Sequence, residues 1–356
     1  MQASKENANA DWKRLTDKKG HFVRPSTVIR NFISRKPGSR FPAEKGRYHL
    51  YVSYACPWAH RVLIARKLKG LEDIISFSVV HWHLDFNTGW RFATPADTDA
   101  EGENVVPDPL HDNFTHLRQV YFETDPDYSA RFSVPVLYDK IQKVIVNNES
   151  SEILRMFGTE FDDIIEDKYQ AVSLYPPEHQ QEIDEVHEWQ YDNINNGVYK
   201  CGFARSQDAY DHDVAALFES LDKVESHLAS NPGPYWFGQN ITEVDIRLYV
   251  TIVRFDPVYT YHFKCNIRDI RSGYPHIHRW LRTLYWTVPA FKDTTNFFHI
   301  KNHYTKSQIQ VNPLAITAAG PSPDILWLAD EVAAAKNAFR FHNFLATNYD
   351  PAASLH

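Results

Sequence analysis

At 356 residues, with 43% hydrophobic, 14% aromatic and 23% charged residues, the chain has material for a sizeable core and suits about two domains. Its formal net charge of −7 offers no broad cationic field to draw in a phosphate backbone, so no nucleic-acid partner is expected. No apolar run reaches the roughly 18 residues of a membrane span, and MQASKENANADWKRL is polar where a signal peptide is apolar, so the expectation is a cytoplasmic chain with no membrane contact.

Residues 1–46, punctuated by Pro25, Pro37 and Pro42, read as an N-terminal extension lying over the surface. An α/β domain over 47–165 follows. It opens with a β-prone run at Tyr48–Val52, a helix carrying Val62, Leu63, Ala65, Arg66 and Leu68, and a second β-rich run at Ile74–Val80. From about 82 to 130 the composition turns to Asp, Thr, Pro, Gly and aromatics. That is too long for an ordinary loop and reads as a functional insertion or covering flap. Val134–Tyr138 and Lys143–Val146 then form a hairpin, and Glu149-Ser150-Ser151-Glu152 opens a helix with Ile153, Leu154, Met156 and Phe157. The order is β-α-β, insertion, β-β-α.

Over 173–311 the period turns helical, which predicts an all-α second domain. Val214, Leu217, Phe218, Leu221, Val224 and Leu228 make one stripe, and Ile277, Trp280, Leu281, Leu284 and Tyr285 another. Thr242-Glu243-Val244-Asp245 matches a helix-capping pattern with a structural role. Residues 312–356 read as a loop-like C-terminal extension that wraps the core.

The sharpest chemical feature is Tyr54-Ala55-Cys56-Pro57-Trp58-Ala59-His60-Arg61, a cysteine between a strand end and a helix with Pro57 at its first position. Unpaired N–H groups and the helix dipole favour thiolate there, so Cys56 is expected to ionise near neutral pH. Ala59 stands where a dithiol enzyme has its second cysteine, so the resolving thiol must be external. Cys201 and Cys265, far from Cys56 and from each other, read as small buried hydrophobes; no disulfide framework or structural zinc site is expected. Pro135 inside an apolar β run marks an edge or a cis turn that leaves the Val134 backbone open to an extended peptide. Glu149-Ser150 at a helix start offers a carboxylate for an ammonium, and a hydroxyl with backbone N–H groups for a carboxylate, as an amino-acid zwitterion requires; it also fits an ordinary capping box. His81-x-His83 supplies only two ligands, so no metal is expected. His60, four residues beyond Cys56, is expected on the helix surface.

These motifs resemble the glutathione transferase superfamily, with a thioredoxin-like N-terminal domain and a helical C-terminal domain. Within it, Cys-Pro-Trp-Ala-His-Arg, Gly89-Trp90-Arg91-Phe92, Val134-Pro135-Val136-Leu137, Asn148-Glu149-Ser150, Asn195-Asn196-Gly197-Val198-Tyr199, Val253-Arg254-Phe255-Asp256-Pro257-Val258-Tyr259 and Asn302-His303-Tyr304 resemble the Xi class, the glutathionyl-hydroquinone reductases. The resemblance runs from about residue 20 to 315. It implies Cys56 as nucleophile; Trp90, Val134, Glu149 and Ser150 as glutathione contacts; and Tyr199 and Tyr304 as contacts to an aromatic substrate. Arg131 is added to the glutathione contacts on position and charge alone. The resemblance further implies glutathione as co-substrate, glutathionylated hydroquinones as substrates, no permanently bound cofactor and a homodimer. Taken residue by residue, Tyr199 and Tyr304 are two of 19 tyrosines, and Trp90 reads as core as readily as lid. Two rivals stand beside this reading. One is an Omega-like thioltransferase or dehydroascorbate reductase; the other is a non-enzymatic module that binds ligands or serves as a scaffold.

Overall fold

The computed structural model describes residues 15–231 and 233–328. The thioredoxin-like half begins with β1 (Tyr48–Val52), α1 (Pro57–Leu68) and β2 (Ser76–Val79), continues through a two-strand ribbon of β3 (Leu84–Asp85) and β4 (Gly89–Trp90), and then α2 (Arg118–Thr124). It closes with β5 (Val136–Asp139), β6 (Val144–Asn147) and α3 (Ser150–Thr159). The main sheet runs β2-β1-β5-β6, with β1 parallel to β2 and the other pairs antiparallel. Its central strand is buried at every residue because both faces are covered. α1 packs against α3, and α2 against β6. The segment read as an insertion is therefore not only a flap: its end, α2, belongs to the layer over the sheet.

The helical half comprises α4 (Asp167–Gln170), α5 (Gln180–Trp189), α6 (Gly197–Phe203), α7 (Gln207–Ser230), α8 (Glu243–Arg254), α9 (Thr260–His262), α10 (Ile270–Gly273), α11 (Pro275–Thr287), α12 (Pro289–Lys292) and α13 (Phe297–Ser307). π-helical turns at Gln190–Asn195 and Phe255–Tyr259 precede α6 and follow α8. The expected stripe of α7 is buried from Val214 to Leu228, and Ser206 caps that helix by accepting from the Ala209 N–H at 3.2 Å. In α8 the expected capping box is closed: Asp245 Oδ2 accepts from the Thr242 N–H at 3.0 Å, and the Thr242 side chain serves the Asp245 backbone. Every residue of α8 is buried, and α1 packs directly on it, so the start of α1 lies at the junction of the two halves.

The N-terminal extension does more than lie on the surface. Asn31 N–H donates to Val146 O at 3.0 Å and Asn148 N–H to Ile29 O at 3.1 Å, so residues 29–31 cover the β6 edge. Phe22, Ile33 and Phe41 are buried as anchors. At the other end, residues 308–328 return over the helical half, where Trp327 stacks on Trp286 at 3.8 Å between centroids and Trp286 Nε1 donates to Leu326 O at 2.9 Å. The rest of the expected C-terminal extension lies outside the described residues. Among the described residues no helix is long and apolar enough to cross a membrane.

Candidate active site

A cavity of about 290 Å³ opens where β1 turns into α1, and it is lined by all eight residues singled out in the sequence: Cys56, Trp90, Arg131, Val134, Glu149, Ser150, Tyr199 and Tyr304. Cys56 is the N-cap of α1, with extended backbone at φ −77° and ψ 118°, and its Sγ approaches Val134 O at 3.6 Å. Val134 lies outside the β1–β5 ladder, whose last pair is Tyr51 with Val136, and its bond to Pro135 is cis. The backbone beside the cysteine is thus displaced from the sheet, as the proline signalled.

The electrostatics of the thiol differ from the sequence expectation. Burial pushes the Cys56 thiol up and outweighs the N–H groups of Ala59 and Trp58 and the charges of Arg254 and Arg24, which all favour thiolate. A helix N-terminus alone does not make this sulfur acidic, because desolvation is the larger effect. Arg131 stands in the same cavity. Burial, with Arg24 acting in the same direction, lowers its guanidinium to about 10, so it still carries its charge at neutral pH.

Glu149 and Ser150 open α3. Glu149 Oε1 accepts from Ser151 N–H at 3.1 Å and Ser151 Oγ at 2.9 Å, while Oε2 accepts from Thr27 Oγ at 2.9 Å. Burial pushes this carboxyl up, but those hydrogen bonds and the charge of Arg61 together leave it below its ordinary value. Capping and ligand reading are therefore compatible at Glu149: the cap holds an ionised carboxylate at the cavity wall. Trp90, on β4, stacks on His303 with centroids 5.0 Å apart.

Opposite the cysteine, Tyr199 from α6 and Tyr304 from α13 meet hydroxyl to hydroxyl at 2.6 Å. Tyr304 also meets the hydroxyl of Tyr259 at 3.0 Å, which makes a chain of three phenols with Tyr304 in the middle. Burial raises all three, so they remain protonated donors at neutral pH.

His60 is not on the helix surface: it is fully buried, between Arg254 Nη1 at 3.0 Å on Nδ1 and Thr294 Oγ at 3.0 Å on Nε2. From Ala59 to Arg66 every residue of α1 is buried, packed against α3, α8 and α12, so His60 has no solvent to face. His81 Nδ1 accepts from the His83 backbone N–H at 3.0 Å, while its Nε2 faces Asp97 and Asp99, and both oxygens of Asp97 are held by Arg91 at 2.8 and 2.7 Å. Cys201 and Cys265 are buried, as read.

Models of the glutathione S-transferase N-terminal and C-terminal domains match residues 55–160 and 207–283. "Glutathione S-transferase omega-like 2" of Schizosaccharomyces pombe is 51% identical over 88% of this chain and 97% of its own length. "Glutathionyl-hydroquinone reductase YqjG" of Escherichia coli is 47% identical over 88% and 93%. The crystal structure of the glutathione-S-transferase Xi from Phanerochaete chrysosporium superposes with a TM-score of 0.82 at 53% identity, over 88% of this chain and 96% of that one. The chain belongs to the glutathione transferases, Xi class.

Two cavity residues of this transferase, and one phenol bonded behind the cavity, escaped the sequence reading. Thr27 and Arg24 come from the N-terminal extension, and the Arg24 guanidinium lies over Tyr199 at 4.6 Å, Trp58 at 4.8 Å and Phe22 at 5.2 Å. Its Nε donates to Asn196 Oδ1 at 2.8 Å. Nothing local marks either residue, since an extended segment has no period that separates inward from outward positions. Tyr259, within the Xi-class motif, reaches Tyr304 from behind without lining the cavity. Its signal was the Pro257 two residues ahead, which predicts a break in the helical ladder and hence a re-aimed side chain.

Proposed function

We propose that this transferase is a glutathione-dependent reductase that removes glutathione from S-glutathionyl-hydroquinones, working in the cytoplasm as a homodimer. One observation carries the reading: two hydrogen-bonded tyrosine hydroxyls, Tyr199 and Tyr304, share a cavity with a single cysteine nucleophile, and Tyr259 is bonded to Tyr304 beyond the cavity wall. A simple thioltransferase has no use for those phenols, whereas a hydroquinone presents hydroxyls that they would hold. Support also comes from relatives named glutathionyl-hydroquinone reductase.

In this mechanism the glutathionyl part lies extended beside Val134. Its ammonium meets Glu149, its γ-glutamyl carboxylate meets Ser150 and the opening N–H groups of α3, and Trp90 and Arg131 flank the remainder. Hydrogen bonds from Tyr199 and Tyr304 favour the keto tautomer of the conjugate, in which the carbon bearing sulfur already holds the hydrogen it will keep. Cys56 thiolate attacks the glutathione sulfur; the S–S bond forms and the C–S bond breaks. The electron pair passes into the ring as an enolate, which takes a proton on oxygen and leaves as hydroquinone. A second glutathione thiolate then attacks the mixed disulfide, forming oxidised glutathione and returning the Cys56 thiolate. The ring gains two electrons and the two glutathione sulfurs lose them.

Turnover of a glutathionyl-hydroquinone with glutathione should release hydroquinone and oxidised glutathione in equal amounts. A Cys56–glutathione adduct should appear in mass spectra when glutathione is limiting. Conjugation without oxidised glutathione would refute the reading. The yeast relatives named omega-like favour a second reading, an Omega-like thioltransferase or dehydroascorbate reductase. Faster turnover of dehydroascorbate than of the glutathionyl-hydroquinone would select it.

A further inference from the structure

A guanidinium carries five N–H donors and a charge it does not shed, so a buried arginine needs acceptors and usually a carboxylate. Arg254, the last residue of α8, is fully buried. Its Nε donates to Ala55 O at 3.1 Å, Nη2 to Tyr54 O at 2.9 Å, and Nη1 to Val250 O at 2.7 Å and His60 Nδ1 at 3.0 Å. All four acceptors are neutral. Burial and the arginine itself keep the His60 imidazole uncharged. Since Nδ1 accepts from Arg254, Nε2 carries the proton and donates to Thr294 Oγ, which in turn donates to Ala290 O at 2.7 Å. Among the described residues no carboxylate forms an ion pair with Arg254.

These contacts converge on one place. Tyr54 and Ala55 are the two residues immediately before Cys56, and His60 lies one turn after it on α1. We propose that Arg254 is a positioning residue for the nucleophile: reaching across from the helical half, it grips the chain on both sides of Cys56 and sets a buried positive charge behind the sulfur. The inference rests on the reading of Cys56 as the nucleophile. It explains why a cation without a carboxylate is kept here: the thiolate formed at Cys56 is its counter-charge. The other groups acting on the sulfur are Arg24 from the extension, Arg131 from the loop before β5, Tyr199 from α6, and the N–H groups of Trp58 and Ala59 on α1 itself.

The test follows alkylation of Cys56 by iodoacetamide against pH, read by mass spectrometry on the full chain, alongside kcat and KM for reduction of a glutathione mixed disulfide. Arg254→Gln removes the charge and most of the fork. Its alkylation midpoint should rise by about one unit or more, with kcat down about ten- to a hundredfold and KM for glutathione within about threefold. Arg254→Lys keeps the charge without the fork, so its midpoint should return to within about half a unit of the parent while kcat stays at least about fivefold low. Parental midpoint and kcat in both variants would overturn the proposal, as would a kcat that recovers fully on assay well below the unfolding temperature. If the Gln variant does not fold, the Lys variant alone decides: a persistent kcat deficit supports the fork and a parental kcat refutes it. Alkylation needs no aromatic substrate, so failure of the parent on glutathionyl-hydroquinone would sink the functional reading and leave this one standing.

Discussion

Cys56 sits under opposing influences, burial against helix N–H groups and three guanidinium charges, and replacing its sulfur tests whether the thiolate is the reactant. Cys56→Ser keeps the size but offers no anion near neutral pH, so release of hydroquinone should fall by about a thousandfold or more and the glutathione adduct should vanish. Activity within about tenfold of the parent would rule out the covalent route. At the phenols, Tyr304 stands between the hydroxyls of Tyr199 at 2.6 Å and Tyr259 at 3.0 Å. Tyr304→Phe should therefore slow hydroquinone release the most, by about ten- to a thousandfold, while mixed-disulfide reduction stays within about threefold. Equal losses on both substrates would refute an aromatic subsite. Glu149→Gln removes the charge-assisted contact proposed to the glutathione ammonium, so KM for glutathione should rise about tenfold or more with kcat little changed. An unchanged KM would remove Glu149 from the binding site.

At the scale of elements, α8 is the axis on which the two halves meet, and its start is held by more than the expected box. Asp245 also accepts from Trp236 N–H at 2.8 Å and from Trp280 Nε1 at 2.9 Å, which ties α8 to the preceding turn and to α11. Burial pushes this carboxyl up, and the four donors around it act against that push. Asp245→Ala leaves those donors unpaired and should cost about 3 kcal/mol or more, read as a lower urea midpoint. An unchanged midpoint would contradict the structural role. At the other end of α8, the π-helical turn Phe255–Tyr259 re-aims Tyr259 toward Tyr304, and Asp256 accepts from the Ile270 and Arg271 N–H groups to start α10. One short motif thus holds the turn before Cys56 at Arg254 and the phenol chain at Tyr259.

For the molecule as a whole, five buried histidines and the half-buried His278 set the response to acid. Burial lowers His49 and His303 to about 3 and His262, His278 and His299 to about 4, with His60 lowered well below its ordinary value. Unfolded, each binds its proton near pH 6.5. The unfolded chain therefore holds more protons than the native one between about pH 4 and 6.5, and stability is lost as pH falls through that window. Asp256 acts with the opposite sign: burial raises it to about 6, so its contribution grows as pH falls from about 6 to 4. One carboxyl does not offset six imidazoles. Unfolding at pH 5 should take up on the order of five protons, measurable by calorimetry in buffers of different ionisation enthalpy. Proton release, or none, would contradict the burial of these histidines.

Local chemistry in the chain determined a good deal by itself. A cysteine before Pro57, a proline after Val134 and a carboxylate opening α3 are each legible because backbone geometry and capping depend on near neighbours. Helical stripes such as Val214–Leu228 are legible because burial of one face imposes a period. Tertiary structure alone decided what depends on distant partners. His60 looks like a surface residue four places along a helix until α8 and α12 close over α1. Arg24 and Thr27 belong to a segment without period, and only the docking of residues 29–31 along β6 brings them to the cavity. The ionisation of Cys56 belongs with them: the helix terminus that favours its thiolate is local, but the burial that opposes it comes from elements far along the chain.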